Sequence, residues 1–495
     1  MTVTLDVGLL AGGAQSVGSV QLPNYDRSMV TTGIVHFGVG GFHRAHQAMV
    51  IDELMNEGKA LDWGICGVGV LPVDARMKHV MESQDCLYTL VEKHADGSRS
   101  ARVIGSIVEY LFAPDDPEAV IEKLASRATR IVSLTVTEGG YNFNQQTGEF
   151  DETNPGVVAD LVENAAPSTV FGLVVEALIR RKGRGIPPFT IMSCDNIQGN
   201  GDVARKMFSA FAELRDPAVA EWMRRSVAFP NSMVDRITPV TTTDDIAEIA
   251  ARFDIHDQWP VVCEPFFQWV VEDNFPQGRP PLEEARVQVV EDVEPYELMK
   301  LRLLNASHQG MCYFGYLSGY RYAHEAAADP AIAAFLLGYM DDEATPTLKP
   351  VPGIDLDGYK RTLIERFANP EVRDTLARLC AESSDRIPKW LVPVIREQLA
   401  TGGEIVRSAA IVASWARYAE GVDELGEPID VVDRLKDTLV PLAQSQHQHP
   451  LAFISNESLF GSLAREPRFV AAYEHALLSL FTHGAHATVA GLSRL

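Results

Sequence analysis

The segment TGIVHFGVGGFHRAHQA (32–48) joins a strand-like run to a helix-like run through a glycine-rich turn. The run 32–40 is short and apolar and ends in glycines, which is typical of a buried strand. Over 42–58, small and apolar residues recur at steps of three and four, as an amphipathic helix requires: Ala45, Ala48, Ile51 and Met55. A buried strand that leads directly into such a helix indicates an α/β fold.

Strand-like and helix-like segments continue to alternate through the first part of the chain. Further strand-like runs occupy 63–70, 101–112, 130–136 and 187–196. Helical patterns lie among them, over 116–126 and 169–185. Strands separated by helices predict a mostly parallel, doubly wound sheet of the Rossmann type.

The pattern changes after the Pro/Gly-rich stretch FPQGRPPLEE (275–284). Beyond it, helical periodicity dominates most of the C-terminal third. We therefore predict two domains: a Rossmann-type dinucleotide-binding domain over 1–287 and a mainly α-helical domain over 288–495, which would carry substrate and catalysis.

The composition is that of a globular protein with a strong acidic bias. Acidic side chains number 67 against 43 basic ones, for a net charge of −24, which disfavours nucleic acid and anionic membranes as partners. The first ten residues lack the basic region of a signal peptide, and the apolar runs fall short of a bilayer span. Six scattered cysteines without a CxxC pair are typical of a reduced protein, so we expect a cytoplasmic location.

The glycine turn is the first candidate binding element. Gly38, Gly40 and Gly41 follow the strand directly, and glycine lets the backbone approach a pyrophosphate. The next helix would offer its N-terminal N–H groups to that anion. The match to GxGxxG is imperfect because His43 takes the third glycine position, and a plain tight turn is the alternative.

An acidic residue after the second strand would hold the ribose hydroxyls of a dinucleotide. Asp74 in GVGVLPVDARMK is the candidate, although it lies further along than the common fingerprint has it, and a solvated loop aspartate is the alternative. Its charge would repel a 2′-phosphate and so favour NAD over NADP. Arg76 and Lys78 are close by in sequence and weaken that preference.

The segment ELMKLRLLNASH (297–308) is rich in helix formers. On an α-helix, Lys300, Asn305 and His308 fall within an arc of about 140°, so they could line one wall of a cleft. A lysine can take a proton from an alcohol if its pKa of about 10.4 is lowered. An asparagine amide can stabilise the developing alkoxide, and Asn196 at the end of a strand is a second such candidate. The alternative is a helix with ordinary polar surface residues.

Several long blocks, in the same order, resemble the polyol-specific long-chain dehydrogenases over nearly the whole chain. They are GVGGFHRAHQA (38–48), SLTVTEGGYN (133–142), SCDNIQGNG (193–201), FPNSMVDRITP (229–239), WPVVCEPFFQWVVED (259–273), KLRLLNASH (300–308) and PVPGIDLDGYK (350–360). The family fold is a Rossmann-type domain followed by a mainly helical domain, with the active site in the cleft between them. The resemblance thus implies the same division of the chain.

The resemblance implies a role for each matching residue. Lys300 corresponds to the general base, Asn196 and Asn305 to the pair that stabilises the alkoxide, and Glu297 to a glutamate that relays the proton to solvent. The substrate's hydroxyls would be contacted by His308, Asp235 and Arg378. NAD would be bound by Gly38, Gly40, Gly41, Phe42, Asp74 and Glu138, although the Glu138 segment could also be a simple turn.

The implied reaction is NAD-dependent oxidation of D-mannitol to D-fructose and its reverse, without a metal, by a monomer. Other alditols, such as D-arabinitol or D-sorbitol, or sugar acids such as fructuronate and tagaturonate, are alternative substrates within the family. A sugar acid would need a cation, which Arg302, Arg373, Arg378 or Arg386 could supply. A sensor that binds without turnover is the alternative of another class, but it has no use for a base. Zinc ligation through Cys263 and Glu264 lacks the third convergent ligand that catalysis requires.

Overall fold

The computed structural model describes residues 3–10, 15–144 and 147–495. The chain forms two compact units, Met1–Val293 and Glu294–Leu495. In the described part of the chain, no helix combines the length and apolarity needed to cross a bilayer. All six cysteines are free thiols in buried positions.

The strands all belong to the first unit. They are β1 (Val3–Thr4), β2 (Ser16–Val17), β3 (Val20–Gln21), β4 (Thr32–Phe37), β5 (Gly64–Gly69), β6 (Tyr88–Lys93), β7 (Arg99–Ile104), β8 (Ile107–Phe112), β9 (Ile131–Leu134), β10 (Thr190–Ser193), β11 (Ser232–Asp235), β12 (Ile255–His256), β13 (Val261–Cys263), β14 (Gln268–Glu272) and β15 (Gln288–Val290).

The α-helices of this unit lie mainly between the strands. They are α1 (Val7–Leu10), α2 (Gly41–Ala45), α3 (Gln47–Asn56), α4 (Ala75–Ser83), α5 (Pro117–Ala125), α6 (Pro155–Asp160), α7 (Val170–Gly183), α8 (Asn200–Arg215), α9 (Pro217–Ser226) and α10 (Thr243–Phe253). Short 3-10 turns occupy Arg27–Met29, Pro72–Asp74, Glu138–Tyr141 and Leu282–Ala285.

The central sheet has five strands in the order β10-β9-β4-β5-β8, and every neighbouring pair is parallel. In chain order this is 5-4-1-2-3, the strand order of a Rossmann sheet. The direction of winding reverses between β4 and β9, which are hydrogen-bonded neighbours. Ligands of such sheets bind beyond the carboxyl ends of the strands at this switch point. The α/β fold class is confirmed.

Both faces of the central sheet are buried, as a doubly wound fold requires. Val35 and Phe37 of β4 pack into a core with helices α5, α7 and α8. Ile34 of the same strand packs into a second core with α3. The split follows the two-residue period of a strand. The smaller sheets have the orders β13-β6-β7-β3-β2, β11-β14-β15 and β1-β12.

The helix predicted over 42–58 is two helices, which corrects the prediction of one. The helical conformation is interrupted at His46 (φ −125°, ψ −94°), which separates α2 from α3. The carbonyls of Arg44 and Ala45, next to the break, accept hydrogen bonds from the Tyr88 hydroxyl (2.6 Å) and Arg236 Nη1 (2.8 Å). Partners from β6 and from beyond β11, far away in sequence, thus satisfy the backbone at the interruption.

The second unit is helical throughout its regular structure. Its α-helices are α11 (Glu294–Met299), α12 (Ala306–Leu317), α13 (Ala323–Ala328), α14 (Pro330–Gly338), α15 (Leu356–Phe367), α16 (Leu376–Cys380), α17 (Ser383–Trp390), α18 (Val392–Thr401), α19 (Val406–Tyr418), α20 (Lys436–Ser445), α21 (Glu457–Phe460), α22 (Pro467–His483) and α23 (Ala485–Leu492). Two π-helical segments, Lys300–Asn305 and Tyr339–Ala344, and 3-10 turns at Thr345–Thr347, Phe453–Ser455 and Leu463–Arg465 complete it.

Candidate active site

Four of the predicted residues lie just beyond the carboxyl ends of neighbouring parallel strands. Gly38 follows β4, Glu138 lies beyond β9, and Asn196 follows β10. Asp74 lies beyond β5 on the other side of β4. Because the carboxyl ends of parallel strands meet at one edge, the sheet brings these residues to the edge where its ligands bind.

The glycine turn fits the backbone of a dinucleotide. Gly38 has φ +92°, and a Cβ there would lie 2.1 Å from the carbonyl oxygen of Thr135, so only glycine fits. A Cβ on Gly40 would meet nothing closer than 3.9 Å, so the space beside it is open. Gly41 begins α2, and a helix N-terminus favours phosphate. Phe42 follows and stacks on His46 with ring centroids 4.7 Å apart.

A buried network of polar side chains on β4 and β9 and just after β9 contacts this turn. The His36 ring lies 2.8 Å from Ser133 Oγ and 2.9 Å from Thr135 Oγ1, which itself donates to the Gly38 carbonyl (2.7 Å). The His43 ring stacks on His36 at 3.4 Å. Burial lowers the pKa of His36 to about 3, and burial also lowers the pKa of His43. Both rings are therefore neutral at pH 7, and neither histidine acts as a cation toward a phosphate.

Asp74 is fixed by the turn that follows β5. One of its carboxylate oxygens accepts hydrogen bonds from the N–H groups of Val70 and Leu71, both at 2.9 Å. The neighbouring cations have other partners, since Lys78 donates to Asp115 (2.7 Å) and Arg76 lies 4.1 Å from the Trp259 ring centroid. An anchored carboxylate with its neighbouring cations engaged suits ribose hydroxyls better than a 2′-phosphate.

The turn after β9 carries Glu138, which is exposed and begins the 3-10 turn Glu138–Tyr141. The residue before it, Thr137, lies outside the helical and extended backbone regions, with φ +63° and ψ 172°. The carboxylate of Asp195 accepts the Thr137 N–H at 2.8 Å and the Tyr141 hydroxyl at 2.8 Å. Burial raises the pKa of Asp195, while these hydrogen bonds act in the opposite direction.

The backbone segments that carry Asn196 and Asp235 are linked by hydrogen bonds from one side chain. Asn196 follows Asp195 and is exposed, whereas Asp235 ends β11 and is buried. The Asn200 amide donates to the carbonyl of Asp195 (3.0 Å) and to that of Ser232 (2.8 Å), at the start of β11. One amide therefore ties the turn that carries Asn196 to the strand that carries Asp235.

In the second unit, Lys300 and Asn305 lie at the two ends of one π-helical segment. The α-helix predicted over 297–308 is therefore wrong at its centre. A π-helix bonds each N–H to the carbonyl five residues earlier, which brings residues i and i+5 toward one face. Both side chains are buried, and the Asn305 carboxamide oxygen has no hydrogen-bond partner among the described residues. A buried carboxamide oxygen without a protein partner is suited to a ligand that donates a hydrogen bond.

The other predicted residues of this unit are held by specific neighbours. The ring of His308, half-buried on α12, lies 4.3 Å from the Phe367 ring. Arg378, on α16, is exposed, and its Nε donates to Asp374 at 2.6 Å. Glu297, one turn before Lys300, is buried on α11. Among the described residues, no three His, Cys, Asp or Glu side chains are arranged to hold a metal ion.

The sequence did not identify three of the residues that shape these elements. Asp195 fixes the Thr137 turn, Asp374 pairs with Arg378, and the buried Tyr339 donates to the carbonyl of Arg302 within the π-helix (3.1 Å). The acid in SCDN at the end of a predicted strand was a usable signal for the first. Asp374 lies four residues before Arg378, a spacing at which opposite charges can pair, whereas Tyr339 reaches Arg302 from a segment distant in sequence.

Two family models match the chain in succession. The mannitol dehydrogenase Rossmann domain matches residues 32–284, and the mannitol dehydrogenase C-terminal domain matches residues 292–481. A mannitol 2-dehydrogenase of Phaeosphaeria nodorum is 48% identical over 476 residues, covering 95% of this chain and 83% of the relative. That of Pyricularia oryzae is 46% identical over 483 residues and covers 96% of both chains.

Solved structures agree with these relatives. The chain is similar to Pseudomonas fluorescens mannitol 2-dehydrogenase, solved as a ternary complex with NAD and D-mannitol, with 45% identity and a TM-score of 0.87 over 99% of this chain and 100% of that one. It is also similar to a substrate-free D-sorbitol dehydrogenase, with 37% identity and a TM-score of 0.92 over 98% and 100%. These matches confirm the resemblance found in the sequence. The chain belongs to the mannitol dehydrogenase family.

Proposed function

We propose that this protein is an NAD-dependent mannitol 2-dehydrogenase that interconverts D-mannitol and D-fructose with Lys300 as its base and without a metal. The observation that carries the proposal is the match over 99% of the chain to a mannitol 2-dehydrogenase solved with NAD and D-mannitol. The glycine turn and the anchored Asp74 fit a dinucleotide, and Glu138 lies at the same edge of the sheet. NAD, when bound, supplies the acceptor for the hydride.

The chain's own residues manage the proton and the charge of the alcohol. Lys300 takes the proton of the C2 hydroxyl, and its side chain is buried, with 7% exposure. Glu297, one helical turn earlier, passes the proton on toward solvent. The amides of Asn196 and Asn305 donate hydrogen bonds to the oxygen as it develops negative charge. His308, Asp235 and Arg378 contact the remaining hydroxyls.

Three of the four candidate arginines have contacts that favour a neutral polyol over a sugar acid. Arg302 donates to both carboxylate oxygens of Glu397, at 2.7 and 2.9 Å. Arg378 pairs with Asp374 through two nitrogens. Arg386 donates to the carbonyl of Leu379 at 2.8 Å. Because these three guanidinium groups already have partners, a substrate carboxylate would have to compete for them.

The activity is tested by following NADH formation with a panel of alditols and, in reverse, NADH oxidation with ketoses and sugar acids. D-mannitol and D-sorbitol both give D-fructose when oxidised at C2, so comparing them tests recognition of that centre alone. We expect D-mannitol to have the highest kcat/KM. Faster turnover of D-sorbitol would assign the chain to the sorbitol branch, and no alditol turnover would overturn the proposal.

The role of Lys300 is tested separately with Lys300→Ala. A general base contributes about 10²- to 10⁴-fold, so we expect kcat to fall by that factor while NADH binding, measured by fluorescence, is retained. Lys349→Ala is the control, because that lysine is exposed and pairs with Glu294. Unchanged kcat in the Lys300 variant would remove the base from the mechanism without affecting the assignment of substrate.

A further inference from the structure

The most unusual backbone in the proposed cofactor site belongs to Thr137. Its φ of +63° and ψ of 172° lie in a region that is nearly restricted to glycine. Thr137 is β-branched, which makes positive φ still less favourable. A conformation of this kind persists only where its surroundings impose it, and such positions cluster at functional sites. The residue stands directly before Glu138, beyond the carboxyl end of β9.

The buried carboxylate of Asp195 accepts three hydrogen bonds from this turn. Asp195 is 6% exposed, and its Oδ1 accepts the N–H of Thr137 at 2.8 Å. Its Oδ2 accepts the N–H of Val136 at 3.1 Å and the hydroxyl of Tyr141 at 2.8 Å. Three donors from the Thr137 turn thus converge on a single carboxylate, and hydrogen bonds to a charged acceptor are the stronger kind.

The same residue also fixes the start of the neighbouring turn. Asp195 directly precedes Asn196, and its carbonyl oxygen accepts from Asn200 at 3.0 Å. Its own N–H donates to Ser193 Oγ at 3.2 Å, and Ser193 Oγ lies 2.6 Å from the Tyr141 hydroxyl. The side chain is therefore bound to one turn of the site and the backbone to the other. Any shift of Asp195 moves both.

We infer that Asp195 is a positioning residue that sets the separation between the Thr137–Glu138 turn, against the cofactor, and Asn196, against the reacting oxygen. The inference rests on the proposed function. Alkoxide stabilisation needs the Asn196 amide at hydrogen-bond distance from an oxygen whose carbon faces the cofactor. A carboxylate that binds both turns fixes that distance before the substrate arrives.

A purely structural role is the competing explanation, and the chain offers a matched control for it. Asp160 is 4% exposed and also accepts two backbone N–H groups, those of Ser168 and Thr169, at 2.8 and 2.9 Å. It supports the start of α7, where Thr169 has an ordinary extended conformation. Both aspartates are therefore buried and accept multiple hydrogen bonds, but only Asp195 holds strained backbone next to proposed site residues.

The first test compares Asp195→Asn with Asp160→Asn in melting temperature, NADH affinity and kcat. An amide turns one acceptor oxygen into a donor, which opposes an N–H group of the turn. We expect both variants to lose stability. Only Asp195→Asn should lose kcat, by about 10- to 100-fold as for a small misplacement of reacting groups, with NADH affinity changed less than threefold. Equal kcat for the two variants and the wild type would overturn the inference.

The second test is rescue. Glycine adopts the conformation of Thr137 without steric cost, so Thr137→Gly should recover at least threefold in kcat when added to Asp195→Asn. Thr137→Gly alone is measured alongside, and its kcat is the reference value for the double variant. A double variant no better than Asp195→Asn would contradict the proposed coupling through this turn.

Two further results separate this inference from the proposed function. A wild-type protein that oxidises no alditol refutes the function, whatever the variants do. A crystal structure of Asp195→Asn does not depend on activity: we expect Thr137 to leave positive φ and Asn196 to shift with it. If both turns keep their wild-type positions, the inference fails even though the enzyme assignment stands.

Discussion

Arg378 and Asp374, four residues apart, form a two-point ion pair in which Arg378 Nε lies 2.6 Å from an Asp374 carboxylate oxygen. The aspartate side chain is 10% exposed, whereas that of the arginine is 60% exposed. The buried carboxylate of Asp374 thus balances the positive charge of Arg378, the arginine proposed to bind substrate. A balanced guanidinium still donates hydrogen bonds to hydroxyls, but it attracts a carboxylate less strongly.

The first prediction is that Asp374→Asn shifts specificity toward sugar acids. The asparagine keeps one acceptor for Arg378 but removes the balancing charge. We expect the ratio of kcat/KM for D-fructuronate to that for D-fructose to rise about tenfold, equivalent to about 1.4 kcal/mol. Steady-state reduction of both substrates by NADH measures it.

Glu248→Gln provides the control, because Glu248 also pairs with an arginine four residues away, Arg252, but on the first unit. Its substrate ratio should match that of the wild type. A ratio in Asp374→Asn that stays within twofold of the wild-type value would show that this ion pair does not set the preference for neutral substrates.

The second prediction concerns the choice between NAD and NADP. Asp74→Asn removes the negative charge but keeps an oxygen that can accept from Val70 and Leu71. Without like-charge repulsion against a 2′-phosphate, kcat/KM for NADP relative to NAD should rise about 10- to 100-fold. Asp62→Asn, at an exposed aspartate paired with Arg130, is expected to leave the ratio unchanged. The assignment of Asp74 fails if the two variants behave alike.

The third prediction separates folding from cofactor binding within the glycine turn. Gly38→Ala forces a Cβ to 2.1 Å from the Thr135 carbonyl oxygen, so we expect a fall in melting temperature and little folded enzyme. The Cβ of Gly40→Ala would lie no closer than 3.9 Å to its nearest protein neighbour, so this variant should fold normally and bind NADH at least tenfold more weakly. Gly183→Ala, in open space at the end of α7, is the control. Wild-type NADH affinity in Gly40→Ala would mean that the dinucleotide does not approach this position.

The fourth prediction is a loss of stability in mild acid that depends on His36. Burial lowers its pKa from 6.5 to about 3, so between these values the unfolded chain holds a proton that the folded chain excludes. Stability therefore falls as the pH drops through this window, by about 2 kcal/mol from this group at pH 5. Guanidinium unfolding at pH 7.5 and 5 should show a smaller pH-dependent loss for His36→Gln than for the wild type.

His449→Gln is the matched control for this measurement, because His449 is exposed. It should keep the full wild-type pH dependence. His43, which stacks on His36 and also has a lowered pKa, remains in both variants and adds its own loss of stability. An identical pH dependence for His36→Gln and the wild type would contradict a neutral, buried His36.

The comparison of sequence and structure is clearest at two helices. The periodicity of 42–58 predicted one helix, yet His46 interrupts it, because Tyr88 and Arg236 supply the hydrogen bonds that the break leaves open. The composition of 297–308 predicted an α-helix, yet its centre is a π-helix. Propensity detects helical residues, but it does not distinguish hydrogen bonding to the fourth from the fifth preceding carbonyl.

The amino-acid sequence was sufficient to predict the alternation of strands and helices, the glycine turn after β4 and the polar residues proposed for the site. The alternation follows from local periodicity, and the glycine turn follows from steric needs of single residues, such as the glycine at position 38. The roles of Asp235, Arg378 and Glu297 were predicted only from the resemblance to a family. The strand order and the convergence of Thr137 and Tyr141 on Asp195 became visible only in the tertiary structure. Such contacts join residues that are far apart in sequence. Whether these residues meet depends on how whole strands and helices pack, and no local sequence pattern encodes that packing.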